Sequence, residues 1–313
     1  MKFAQIILVL LIISVNFVYT QEKSLLNIRA NITILDTAGN PVEDIKVEDI
    51  KIFEDGIEQK ITQFTKREIA SNIGFVIDNT GSMRLQFDTI LDTTTKIVNQ
   101  LNTTDESFIV RFVSTDKTTI WEDWTSDKNK LRRSIDSMYI EGGQSAILDG
   151  LNLAMMKIRQ REEKEPNKKY SLILISDCED RESASVLNGF LNNLQNSNMQ
   201  IYVIALTGEL TNGKNSVTKK YVASKDNAEN LANNLALTTG GNVFFIEKPK
   251  EETINEVVKK LTTEIHAPFV VSYTSTNQKR DGKQRKLTIQ VADGAKGEKR
   301  QGFIREGFVV TKN

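Results

Sequence analysis

The chain has 313 residues, enough for two domains and a sizeable core. Lysine plus arginine equals aspartate plus glutamate at 41 each, so there is no basic excess for nucleic acid and no net field toward a membrane surface. One cysteine and one histidine leave no internal disulfide and few designs for acid–base or nucleophilic catalysis.

The first twenty residues read as a secretory signal peptide. Lys2 gives the positive start, Ile6 to Ile13 the apolar stretch, and the polar mature chain opens at Gln21. Thr20 is larger than a cleavage site prefers, which leaves a retained N-terminal anchor as the alternative. No cysteine lies nearby to carry a lipid. No other stretch reaches eighteen apolar residues, so the mature chain is expected to have no membrane span.

From Ile28 to Ile34 apolar residues alternate at the strand period, and Asp36 to Pro41 is a turn cluster. Ile50–Phe53, Asp55-Gly56 and Gln59–Phe64 read as a hairpin. From about residue 70 the pattern changes. Ile73–Ile77 is a strand too apolar to have a solvent face, and helical spacing then runs from Met83 to Leu101. A strand is expected over Ser107–Ser114, a short helix over 127–138 and a longer one over Ala146–Arg161. Trp121 and Trp124 flank Glu122-Asp123 in a loop or edge segment; core packing is the default, a partner contact the alternative. Strand Tyr170–Ser176, a helix near 183–197 and strand Gln200–Leu206 follow. Gly208–Lys225 is polar and reads as a loop insertion. A helix over 226–238, a strand over Asn242–Ile246 and a helix over Glu251–Glu264 complete the series. Buried strands separated by amphipathic helices predict an α/β fold, a doubly wound and mostly parallel sheet.

After His266 strand patterns return at Phe269–Tyr273, around Leu287, Ile289 and Val291, and at Phe308–Val310. Each flank is too short to be stable alone. The expected organisation is therefore signal peptide 1–20, an α/β domain at 70–266, and a small β-sandwich made of 21–69 and 267–313.

The chemistry concentrates where strand 73–77 ends. Asp78, Thr80 and Ser82 put one carboxylate and two hydroxyls at alternate positions in a strand-to-helix loop. Ser145 follows the glycine pair Gly142-Gly143, and Asp177 follows strand Tyr170–Ser176. In a doubly wound sheet these three loops converge on one edge. Two carboxylates offset a divalent charge and three hydroxyls add hard oxygen ligands, a set that suits Mg²⁺ or Mn²⁺ with a coordination position left open. Asp78 could alternatively be a helix cap, and Glu179 and Asp180 read as ordinary acidic loop residues. Cys178 has no partner base in sequence, so a cysteine hydrolase is not expected. His266 reads as a junction residue.

The run Asp78-x-Thr80-x-Ser82, Ser145 after the glycine pair, and Asp177 in Ile-Ser-Asp resemble, in order and spacing, the three loops of the metal-ion-dependent adhesion site of von Willebrand factor type A domains. The resemblance covers about 70–265. The segments Val47–Gly56 and Gly302–Phe308 resemble a bacterial secreted subfamily. Thr80 stands where that family more often has serine, Ser145 where it usually has threonine, and Cys178 where glycine is common. The resemblance implies an exported, non-enzymatic protein-binding or adhesion module, periplasmic or secreted. Its cation would take an Asp or Glu carboxylate of a protein partner; whether the last helix, Glu251–Glu264, moves on binding stays open. Two other functions stay open: a structural part of an envelope assembly stiffened by a metal, and a metal-dependent hydrolase.

Overall fold

In this computed structural model the described residues are 25–38, 40–66, 71–165, 168–195, 199–210 and 225–310. The expected signal peptide, the junction at residues 69–70 and positions 211–224 of the expected insertion lie outside them. The N-terminal strands are β1 (Asn27–Asp36), β2 (Ile50–Glu54), β3 (Ile57–Gln59) and β4 (Ile61–Lys66). Then come β5 (Ser71–Asp78), α1 (Phe87–Gln100), β6 (Glu106–Phe112), β7 (Thr119–Thr125), α2 (Lys128–Asp136), α3 (Ile147–Glu162), β8 (Lys169–Ser176) and α4 (Leu187–Gln195). The remaining elements are β9 (Gln200–Ala205), α5 (Lys225–Thr239), β10 (Val243–Phe245), α6 (Glu251–Ile265), β11 (Phe269–Thr274), β12 (Gln284–Val291), β13 (Arg300–Ile304) and β14 (Gly307–Val309).

The apolar strands form one six-stranded sheet in the order β10-β9-β8-β5-β6-β7. Every pairing is parallel except that of β7, which runs antiparallel to β6 at the edge. All eight residues of β5 and all eight of β8 are buried, because helices cover both faces. On one face Phe75, Ile77, Ile173 and Ile175 pack with Ile90, Ile97, Leu131, Ile254 and Leu261 of α1, α2 and α6. On the other Val76, Leu172, Leu174 and Val203 pack with Leu148, Leu151, Phe190 and Leu235 of α3, α4 and α5. Each fully buried aliphatic side chain contributes about 1.5–3 kcal/mol. The fold is thus α/β and doubly wound, as the periodicity predicts.

Gly74 is where the sheet meets its neighbours most closely. A Cβ there would come within 2.4 Å of Phe108 Cζ and 2.6 Å of Leu172 Cδ2. Gly74→Ala is therefore expected to cost about 1–3 kcal/mol through overpacking. Urea unfolding measures it, and a neutral result would mean Phe108 swings aside freely.

The flanking strands pair with one another. β1, β4, β11 and β13 form one antiparallel sheet, and β2, β3, β12 and β14 another. Ile28, Ile32 and Ile34 of β1 share a core with Ile52, Tyr273, Leu287 and Phe308, and Leu237 of α5 joins it. The expected hairpin splits: β3 pairs with β2, but β4 crosses to β11 in the other sheet. Gln59 turns the corner, its buried amide bonding the Ile57 carbonyl and Thr276 Oγ1. β13 is an additional strand; its core-facing residues are only half-buried, which blurs the alternation. Lys169 joins the two parts. Its buried ammonium donates to the carbonyls of Glu264, Ile265 and Ala267, where α6 ends and leads into β11. Burial, helped by the charge of Arg29, lowers its pKa to about 7.

The segment 119–125, read as loop or edge, is the edge strand β7. Trp121 donates through its indole N–H to the Ser134 carbonyl at 2.8 Å, and Trp124 packs edge-on against Phe108 at 4.5 Å. Both serve packing.

Candidate metal centre

β5 hands over to β6 on one side, and the chain returns on its other side at β8. The strand order reverses between β5 and β8, and the crevice beyond their carboxyl ends is where such sheets bind ligands. Asp78 is the last residue of β5, and Asp177 follows the last residue of β8.

Beyond Asp78 the chain does not enter the α-helix directly. Residues Gly81–Gln86 form a 3₁₀ turn, begun by a bond from Met83 N to the Thr80 carbonyl at 3.1 Å, and α1 starts only at Phe87. The tight turn keeps Ser82 against Thr80, their hydroxyls 2.9 Å apart. Asp78 Oδ1 accepts from Thr80 N at 3.0 Å and Thr80 Oγ1 at 2.7 Å. Asp78 Oδ2 accepts from Ser176 Oγ at 2.6 Å and Ser145 Oγ at 3.5 Å. Asp78 therefore organises the loop; the capping alternative fails, since Thr80 occupies the cap position and no side chain caps the turn.

Ser145 is held from behind by the loop after β8. Its carbonyl accepts from Arg181 N at 2.8 Å and Glu182 N at 3.1 Å. Asp180 is more than an acidic loop residue. Its Oδ1 accepts from Ile147 N at 2.8 Å, satisfying an orphan donor at the start of α3 from another loop. Asp177 Oδ1 accepts from Glu179 N at 3.0 Å, and its Oδ2 lies 3.9 Å from Arg181 Nη2. Glu179, buried, accepts from Arg181 Nε at 2.9 Å and from Nη2.

Hydrogen bonds thus link Asp78, Thr80, Ser82 and Ser145, and Asp177 is close enough to act on Asp78 electrostatically. Burial first, then the charge of Asp177, raises the Asp78 pKa to about 7, although hydrogen bonds from Ser176 and Thr80 oppose the rise. Two carboxylates forced together out of water are costly unless a cation lies between them. Among the described residues no three His, Cys, Asp or Glu side chains are arranged so that they could hold a metal ion by themselves. The set is instead two carboxylates with hydroxyls, all hard oxygens, and it fits Mg²⁺ or Mn²⁺ better than a thiolate- or imidazole-seeking ion.

Sequence reasoning missed Ser176, Asp180 and Arg181. Ser176 carries a faint signal, a polar residue closing an apolar strand; the roles of the other two arise from contacts between loops. Cys178 directly follows Asp177. Its backbone is left-handed, φ 63°, a conformation glycine adopts without penalty. Its side chain is buried and belongs to the apolar cluster shared by α3, α4 and α5. Burial first, then Asp177 and Asp78, pushes its thiol well above the usual range. His266 bonds the Thr262 carbonyl and Asp105, as a junction residue does. A separate cleft of about 880 Å³ lies between α5, α6, β10, β13 and β14, and none of the five expected ligands lines it.

The family model of the von Willebrand factor type A domain matches residues 72–262. The chain belongs to that family. Type A domains commonly mediate metal-dependent protein interaction. No curated protein matches the chain. Among solved structures it is similar to BatB from Bacteroides thetaiotaomicron, at 14% identity over 62% of this chain and 98% of that one, TM-score 0.48. It is also similar to the SpRpn10 VWA domain, at 14% identity over 61% and 94%, TM-score 0.42. A third is proximal thread matrix protein 1 from the mussel byssus with a zinc occupied MIDAS motif, at 17% identity over 68% and 50%, TM-score 0.49.

Proposed function

We propose that the chain is an extracytoplasmic, metal-dependent protein-binding module without enzymatic activity. Asp78, Thr80, Ser82, Ser145 and Asp177 would hold one Mg²⁺ or Mn²⁺. When bound, the ion supplies a Lewis-acid position for a carboxylate oxygen of a partner's Asp or Glu. The chain's own residues do the rest. Thr80 and Ser176 orient the Asp78 carboxylate, and Asp180 fixes the start of α3 and with it Ser145. The observation carrying this reading is the convergence of hydroxyls from two loops on the buried Asp78, with Asp177 beside it.

Non-enzymatic binding is favoured over hydrolysis by what surrounds the site. The raised Cys178 pKa disfavours the thiolate, and His266 is engaged by Asp105 and Thr262. The apolar run at Ile6–Ile13 supports export. No helix among the described residues is long and apolar enough to cross a membrane. We treat 70–266 as the binding domain and the strands of 21–69 and 267–313 as one discontinuous β-sandwich that presents it.

Affinity capture from the source cell's envelope tests the function. The wild-type protein in Mg²⁺ is expected to retain a partner that EDTA releases and that Asp78→Ala never captures. A partner retained equally under all three conditions contradicts the proposal and favours a structural role in the envelope.

A further inference from the structure

Arg181 is an unusual neighbour for a cation site. Its guanidinium is 3.9 Å from Asp177 Oδ2, and its side chain is 30% exposed. Nε and Nη2 are spent on Glu179, while among the described residues Nη1 has no acceptor. Its position is fixed at both ends: its backbone N–H is bonded to Ser145 and its fork to Glu179, whose own N–H is bonded to Asp177. A positive charge held this firmly beside the cation position opposes the cation. The same charge favours an incoming carboxylate, and a guanidinium edge matches a carboxylate geometrically.

Resting on the metal-site reading above, we infer that Arg181 is the residue that selects a carboxylate at this site, at the expense of cation affinity. Asp78, Asp177 and Glu179 with Arg181 carry a net charge of minus two when ionised, matched to one divalent ion. A partner's carboxylate then brings an unmatched negative charge. Arg181, held 3.9 Å from Asp177, would attract that carboxylate, and its Nη1 has no acceptor among the described residues. Neutralising Arg181 moves the two affinities in opposite directions; a residue that merely props the loop moves them together.

The test uses the full mature chain and two probes: Mn²⁺ by calorimetry, and acetate by the broadening of its methyl proton resonance in the Mn²⁺-loaded protein. Circular dichroism and melting in EDTA check folding. Arg181→Gln is expected to raise Mn²⁺ affinity roughly three- to tenfold, the size of one partly screened charge at this range, and to weaken acetate by a similar factor. Glu179→Gln is expected to do the reverse for Mn²⁺ and carries the test if Arg181→Gln misfolds. Mn²⁺ affinity unchanged in both variants, or Mn²⁺ and acetate shifting the same way, overturns the role of Arg181 while leaving the metal site standing. No Mn²⁺ binding by the wild type overturns the metal-site reading itself.

Discussion

Asp78→Asn is expected to abolish divalent-cation binding and to leave the fold intact. The carboxylate is fully buried and carries half the negative charge of the ligand set, so its loss removes a buried charge partner. Breaking such a pair costs about 3–5 kcal/mol, more than a hundredfold in affinity. The fold survives because asparagine keeps an acceptor for Thr80 N and Thr80 Oγ1, and Ser176 Oγ can accept from the new amide. In EDTA the variant is expected to melt no lower than the wild type, since substitution relieves the repulsion between Asp78 and Asp177. Calorimetry with Mg²⁺ and melting curves with and without EDTA measure both effects. Wild-type cation affinity in the variant places the ion elsewhere. A variant that unfolds in EDTA makes Asp78 a scaffold residue first.

Arg285→Ala is expected to destabilise the protein by about 3–5 kcal/mol, because it leaves a buried carboxylate without its cation. Glu54 of β2 and Arg285 of β12 come from opposite ends of the chain, and both side chains are almost completely buried. Glu54 also accepts from Tyr273 Oη at 3.0 Å and Ser275 Oγ at 2.8 Å, while Arg285 reaches the Lys279 carbonyl at 2.8 Å. Hydroxyls alone do not balance the charge that remains. The double variant Glu54→Met, Arg285→Met is expected to recover much of the loss, since apolar pairs of similar volume replace buried ion pairs well. Urea unfolding of the singles and the double gives the coupling. A single-variant cost under about 1 kcal/mol would make the pair equivalent to a solvent-exposed bridge and separate the two flanks energetically.

The central sheet was legible because its strands are buried on both faces. Ile73–Ile77 and Tyr170–Ser176 have no polar phase, and only a helix-covered parallel sheet accommodates two such runs. The convergence of the candidate loops was legible for a related reason: Asp78 and Asp177 are the first acidic residues after those runs, and strand ends in such a sheet share one edge. What stayed hidden depends on partners distant in sequence. The residues of β3 and β4 read as one strand, and nothing local announces that the chain changes sheets at Lys60. β7 lost its alternation to register shifts opposite Ser107, Ile109 and Val110. Glu179 and Asp180 read as ordinary acidic loop residues, and Arg181 carries no signal of its own. The function of this run appears only when α3 and Ser145 are packed against it.

The most direct measurement is the anomalous diffraction of a crystal of the mature protein grown in Mn²⁺. A single peak is predicted beyond the ends of β5 and β8, with oxygens of Asp78, Ser82 and Ser145 among its ligands. A crystal grown in Mn²⁺ at tens of millimolar that shows no peak there would contradict the cation site.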